Sequence, residues 1–169
     1  MSNPPGPSNE FAEHRGAWFT FAMGEFDAQF PRDRSYATNH MWARHVRGQR
    51  WRFGLTAYAV RLLQDVYFLD WIVQPPQQIA LRANIGSIES KKAESDLFAP
   101  VGGTFAAINE STISDPSLIN ADTYEDGWLI EIESDQPTTD VLLTPDQYAA
   151  HLSEAWDVAQ RTIKGQVNQ

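Results

Sequence analysis

Ile88-Glu89-Ser90-Lys91-Lys92-Ala93-Glu94-Ser95-Asp96 decides how the rest of this chain is read. Two lysines sit where a hairpin should turn, between an outgoing strand over residues 83–90 and a returning one over 93–100. A lysine at the tip of a β-turn stands as far from the body of a domain as a side chain can. Its ammonium is a flexible, acylatable point nucleophile. That combination suits a covalent carrier, whose lysine an enzyme must reach and whose attached arm must then reach other enzymes. An arbitrary Lys-Lys pair is a solvated turn and nothing more. The surrounding sequence sets this one apart.

Reading onward, Glu89-Ser90-Lys91-Lys92-Ala93-Glu94-Ser95-Asp96 runs into Leu97-Phe98-Ala99-Pro100-Val101-Gly102-Gly103. Ile108-Asn109-Glu110, Asp115-Pro116 and Tyr124-Glu125-Asp126-Gly127-Trp128-Leu129 follow. Upstream lie Tyr36, Asn39-His40-Met41-Trp42, Gly54-Leu55-Thr56-Ala57-Tyr58-Ala59 and Asp65-Val66-Tyr67-Phe68-Leu69. In order and spacing, over residues 36–152, these blocks resemble the glycine cleavage system H protein, a lipoyl carrier. That family reads Glu-Ser-Val-Lys-Ala-Ala-Ser-Asp at the hairpin and His-Glu-Trp upstream. One block would be weak; seven in register are specific.

Composition fits a single domain. The chain has 169 residues, enough for a real core. No apolar run approaches the roughly 20 residues that span a bilayer. Trp18-Phe19-Thr20-Phe21-Ala22-Met23 is too short and lacks the basic lead of a signal peptide. With no cysteine there is neither a disulfide framework nor a Cys-based metal site. A cytoplasmic, bacterial protein is expected. The four histidines (His14, His40, His45, His151) have no metal or triad context, so no catalytic role is expected.

Charge is uneven. Residues 1–52 hold 7 of 13 basic and 5 of 22 acidic side chains (+2), and the remainder 6 and 17 (−11). The acidic body argues against nucleic acid, whose phosphates it would repel. It favours partner enzymes with basic mouths, through electrostatic steering. Arg44, Arg47, Arg50 and Arg52 form a local basic exception, read as exposed hairpin positions with a docking potential.

Residues 1–15 (Pro4-Pro5-Gly6-Pro7 among them) are Pro/Ser/Asn-rich and expected to be a disordered tail. Residues 16–35 carry Trp18, Phe19, Phe21, Phe26 and Phe30, too apolar for a free tail, and should pack on the domain or form a contact surface. The carrier domain is expected over 36–143. Its short strands fall at 42–46, 51–55, 66–71, 79–88, 97–100, 104–109 and 128–133, rich in β-branched and aromatic residues. Thr56 should cap a short helix through Leu63, and another turn of helix should open at Asp115-Pro116. Thr144-Pro145-Asp146-Gln147 has the cap, first-turn Pro and Gln of a capping box, so residues 144–165 should form a C-terminal helix. The fold expected is mainly β: a flattened β-barrel or sandwich of lipoyl-domain (barrel-sandwich hybrid) type, with short helices and that C-terminal helix.

The resemblance implies a function. Aligned on Glu89, Ser90, Ala93 and Asp96, the family's lipoyl lysine falls on Lys92, with Lys91 where the family has Val. The cofactor is then covalent lipoate, attached by a lipoyl ligase or transferase. The protein is a non-catalytic subunit that shuttles the aminomethyl group of glycine. Its partners are a pyridoxal-phosphate glycine decarboxylase, a tetrahydrofolate aminomethyltransferase and the flavin enzyme dihydrolipoamide dehydrogenase, with no nucleic acid or membrane. Asn39, His40, Met41 and Asp96 match the family's arm-docking positions, with Glu89 and Ser90 beside the lysine. One departure bears on cargo. The family contacts the aminomethyl cation through a Glu and a Ser where this chain has Met41 and Asn39. Losing a charge-assisted partner in a partly dry site weakens storage by about 1.5–3 kcal/mol. An H-like carrier for another lipoyl-dependent process, such as sulfur-compound oxidation or lipoyl relay, and a non-lipoylated binding module are the alternatives.

Overall fold

The computed structural model describes residues 17–167. The expected tail over 1–15 lies outside them. Among them, eleven strands and four α-helices follow in chain order. They are β1 (Trp18–Met23), β2 (Phe26–Pro31), β3 (Ser35–Tyr36), β4 (Met41–Arg47), β5 (Arg50–Leu55), α1 (Ala57–Leu63), β6 (Val66–Trp71), β7 (Gln77–Ile79), β8 (Asn84–Ser90), β9 (Glu94–Phe98), β10 (Gly103–Ile108), α2 (Glu110–Ser114), α3 (Leu118–Ala121), β11 (Ile130–Ser134) and α4 (Pro145–Val167). Among the described residues no helix is long and apolar enough to cross a membrane.

The strands form three sheets: β1-β2, a six-stranded β3-β4-β5-β11-β10-β7, and a three-stranded β6-β8-β9. The mainly-β expectation holds, and so does the C-terminal helix. The barrel does not. No ladder joins the six-stranded sheet to the three-stranded one, so the sheets stay open at β3 and β7 and at β6 and β9. The main core contains Met41, Ala43, Phe53, Leu69, Ile85, Ile88, Phe105, Ile130 and Ile132, contributed by both of these sheets.

The stretch expected as one strand over 79–88 is two. Ile79 pairs with Gly103 in the large sheet, while Asn84 pairs with Phe98 in the small one. Between them the chain turns at Leu81-Arg82, with Arg82 at φ 68. Such a corner lets one chain segment serve two sheets.

A second core lies on the far side of β4. Here β1 and β2 form a hairpin that buries Phe19, Met23, Ala28 and Phe30 and leaves Thr20, Ala22, Asp27 and Gln29 exposed, the period-2 pattern of a half-covered sheet. Phe19 stacks on Phe30 at 4.9 Å, and Tyr36 stacks on Tyr148 of α4 at 4.4 Å. Trp42 completes this core and gives its indole N–H to the Thr123 carbonyl at 2.9 Å. Its ring lies over Gly54, where an added Cβ would fall 2.6 Å from it, so the cross-strand partner of this tryptophan must lack a side chain.

Two of the four helices, α2 and α4, begin on side-chain caps, and α1 and α3 do not. Thr144 and Gln147 form the expected capping box, through Gln147 N–H to Thr144 Oγ1 at 3.2 Å and Thr144 N–H to Gln147 Oε1 at 2.9 Å. Asn109 caps α2, a helix not anticipated, through Ser111 N–H. Pro116 sits in the turn before α3 and not at its first position. Thr56 occupies the N-cap of α1 without a capping bond, because its hydroxyl is engaged by Tyr148.

Candidate functional site: a lysine hairpin and its cleft

Strands β8 and β9 run antiparallel, Glu89 opposite Glu94, and reverse direction through Lys91 and Lys92. Ser90 organises the reversal. Its N–H donates to the Ala93 carbonyl at 2.8 Å, and its hydroxyl donates to the same carbonyl at 3.0 Å. The hydroxyl oxygen also accepts from Ala93 N–H at 3.1 Å and Lys92 N–H at 3.3 Å. The Lys91 N–H is tied to the Asp65 carbonyl at 2.9 Å, anchoring the tip to the segment before β6. With the turn's backbone groups engaged, both lysine side chains project into solvent. Glu89 is half-buried, opposite Phe68 on its other side.

Beside the tip runs a cleft of about 350 Å³. One wall is the chain entering β4 (Asn39, His40, Met41), together with Tyr58 and Leu62 of α1; the other is residues 93–98 of the hairpin's returning strand. Of the residues singled out in the sequence, Asn39, His40, Met41 and Asp96 meet here. Glu89 and Ser90 do not; they belong to the turn and its ladder. Sequence reasoning passed over Glu94, Tyr58 and Phe98 as cleft residues. Glu94 carried a readable signal: it is an acid two residues from the lysine at a position where the resembling pattern has Ala.

The three residues entering β4 are held in place. Asn39 donates its side-chain amide to the Phe98 carbonyl at 3.0 Å, a strap from the β4 side to the end of β9. A second hollow, of about 660 Å³, shares Asn39 and Phe98 and continues along Arg82 and Val141. Met41 is only 1% exposed and faces the core. His40 adopts φ 68 and packs tilted against Tyr58 at 4.5 Å between ring centroids, with its Nδ1 at 2.8 Å from the Tyr148 hydroxyl. Burial, reinforced by the neighbouring His151, lowers its pKa to about 4, so the ring is neutral near pH 7. No group of His, Asp and Glu suited to a metal occurs among the described residues.

The arginines of β4 and β5 lie on the large sheet. Glu131, with a side chain 7% exposed, accepts from Nε of Arg50 at 2.7 Å and Nε of Arg52 at 2.8 Å. Burial pushes its carboxyl up, but the two guanidinium bonds outweigh burial and hold it below the usual range. Arg52 also lies 4.3 Å over the Trp128 ring, and Arg44 reaches Glu125 at 3.2 Å. Three of the four basic residues are thus paired with carboxylates, Arg50 and Arg52 across strands and Arg44 with a turn residue.

Residues 34–155 match the family model described as Glycine cleavage H-protein. The chain is 38% identical over 125 residues to the glycine cleavage system H protein of Geobacillus thermodenitrificans, covering 73% of this chain and 97% of that protein. It is 39% identical over 123 residues to a probable glycine cleavage system H protein of Natronomonas pharaonis, at 73% and 96% coverage. The crystal structure of an H protein from Mycobacterium marinum superimposes with a TM-score of 0.64 at 30% identity, covering 73% of this chain and 99% of that one. The β1-β2 hairpin precedes the matched residues.

Proposed function

From the premise that this chain belongs to the glycine cleavage H-protein family, we propose that it is the lipoyl carrier of glycine cleavage and that Lys92 bears the arm. The observation that carries this is the placement of Lys92. It is exposed on a two-residue turn whose backbone Ser90 and Asp65 immobilise, with a cleft opening along the strand that follows it. A covalently held dithiolane fits these residues, because the amine is free to be acylated and the cleft has an apolar floor of Met41, Leu55, Leu63 and Ile88. When bound, lipoate supplies the redox-active disulfide that accepts and yields the one-carbon cargo.

The chain's residues do the presenting. Ser90 holds the turn, Lys92 supplies the tether point, and Asn39, His40, Met41 and Asp96 form the cleft in which the arm's end rests between encounters. On this reading the protein serves as a mobile substrate of other enzymes. Those partners are a pyridoxal-phosphate glycine decarboxylase, a tetrahydrofolate aminomethyltransferase, a flavin dihydrolipoamide dehydrogenase and a lipoyl ligase or transferase. A net charge of −9 favours their approach through basic mouths, in the cytoplasm. Nothing in the fold favours service to another lipoyl-dependent pathway.

Co-expression with a lipoyl ligase, followed by intact-mass and peptide spectra, tests the site. One lipoyl increment on Lys92 is expected. Lipoyl on Lys91 alone, or on neither lysine, refutes the assignment. Exchange of labelled bicarbonate into glycine, with the purified decarboxylase, then tests the pathway.

A further inference from the structure

We infer that the N-terminal hairpin sets the shape of the cleft beside Lys92, with Tyr124 and Phe26 as positioning residues that hold α1 at its two ends. This rests on the carrier reading above. The cleft takes Tyr58, Ala59, Leu62 and Leu63 from α1, so the placement of this helix decides what the arm meets. α1 is only seven residues long, and helices that short depend on packing for their stability. Its N-cap residue, Thr56, makes no side-chain capping bond, because the hydroxyl is engaged by Tyr148. The first N–H of the helix is met from elsewhere. Ala57 N–H, one of the donors that a helix start leaves without a partner, donates to the Tyr124 hydroxyl at 3.0 Å. That hydroxyl donates in turn to the Gln29 carbonyl on β2 at 2.7 Å.

The far end of α1 is held as well. The Arg61 guanidinium, in the last turn, lies 4.3 Å over the ring of Phe26 at the start of β2, a cation–π contact. Each point of hold is next in the chain to a cleft residue: Ala57 to Tyr58, and Arg61 to Leu62. Tyr58 and Leu62 are four apart and share one face of the helix, so fixing both ends fixes the face turned to the arm. The hairpin is anchored independently of α1, through Phe30 against Tyr148 and the Arg32–Asp146 pair, both on α4. It precedes the residues that match the family model, so this hold on α1 is an addition to the family's domain. A wall fixed in advance need not be ordered when the arm docks. A wall that wanders weakens docking in proportion to the time it spends out of place.

The test uses the full-length chain lipoylated on Lys92 and follows reduction of its dithiolane by tris(2-carboxyethyl)phosphine, which reaches the arm's end only when it has left the cleft. Free lipoamide gives the reference rate, and the wild-type arm is expected to react more slowly. Tyr124→Phe removes the hydroxyl link and Phe26→Leu removes the ring under Arg61; each is expected to react about threefold faster than wild type. Phe26→Tyr keeps a ring under Arg61 and should keep the wild-type rate. Phe19→Leu, in the same hairpin but packed on Phe30 and Tyr36, should lower the urea midpoint and leave the rate unchanged. Four results overturn the inference while leaving the carrier reading intact: Tyr124→Phe or Phe26→Leu at the wild-type rate, Phe26→Tyr as fast as Phe26→Leu, Phe19→Leu as fast as either, or a wild-type arm as fast as free lipoamide. A wild-type chain that is never lipoylated overturns the carrier reading, and this inference with it.

Discussion

The hydroxyl of Tyr148, on the C-terminal helix, lies 2.8 Å from Nδ1 of His40, on the wall of the cleft beside the carrier hairpin. The same hydroxyl is 2.9 Å from Thr56 Oγ1, and the Tyr148 ring stacks on Tyr36. Three segments far apart in sequence thus converge on one buried phenol: the entry to β4, the start of α1 and the last helix. The cleft wall is held by this junction as well as by the Asn39 strap to the end of β9.

Tyr148→Phe removes both bonds while keeping the ring. It leaves the fully buried Thr56 hydroxyl without that partner, and unsatisfied buried groups of this kind cost about 1–3 kcal/mol. The urea midpoint should fall accordingly, with the far-ultraviolet circular dichroism unchanged.

His40 makes stability pH-dependent in a definite direction. Burial lowers its folded-state pKa from 6.5 to about 4, so the unfolded chain binds the extra proton between those values. Its contribution is complete above pH 6.5 and is lost as pH falls toward 4; at pH 5 the loss is about 2 kcal/mol. His40→Asn, a residue that tolerates the left-handed backbone at this position, should flatten that part of the profile. Denaturant titrations of both proteins at pH 7 and pH 5 provide the comparison.

Ser90→Ala deletes the side-chain oxygen that accepts from Lys92 and Ala93 N–H. The ladder bond from Ser90 N–H to Ala93 remains, so the fold should lose only about 1 kcal/mol. The tip should loosen, and acylation of Lys92 by a lipoyl ligase should slow severalfold in kcat/KM. Hydrogen exchange at Lys92 and Ala93 should rise in the variant.

Phe30→Ala tests the coupling of the N-terminal hairpin to the domain. Phe30 is fully buried against Phe19, Tyr36 and Tyr148, and truncations of this type cost about 3–5 kcal/mol. A single cooperative unfolding transition at lower denaturant is the expected result. A two-step transition, with the hairpin releasing first, would show it to be an independent unit.

Much of the site could be read from residue order. The lysine pair, the Ser before it and the Asp after it lie within seven residues, and the turn they specify is local. The capping box at Thr144 is local too, and α4 begins where it indicates. What could not be read depends on partners distant in sequence. Residues 79–88 have the composition of one strand, and only their pairing, with Gly103 at one end and Phe98 at the other, splits them between sheets. Thr56 has the chemistry of a cap, but a buried phenol 92 residues away takes its hydroxyl. Tyr58 and Phe98 as cleft residues became visible only when β9 was set against β4 and α1.

By itself, then, the sequence determined the hairpin, its exposed lysines, the β-rich composition and the last helix. Those features follow from turn chemistry, side-chain periodicity and capping, which act over a few residues. Tertiary structure alone decided that the sheets stay open, that Met41, Trp42 and Ala43 at the start of β4 are buried and that β9 faces the entry to β4 and α1 across a cleft. Each of these depends on which distant surfaces exclude water together, and residue order does not specify that pairing.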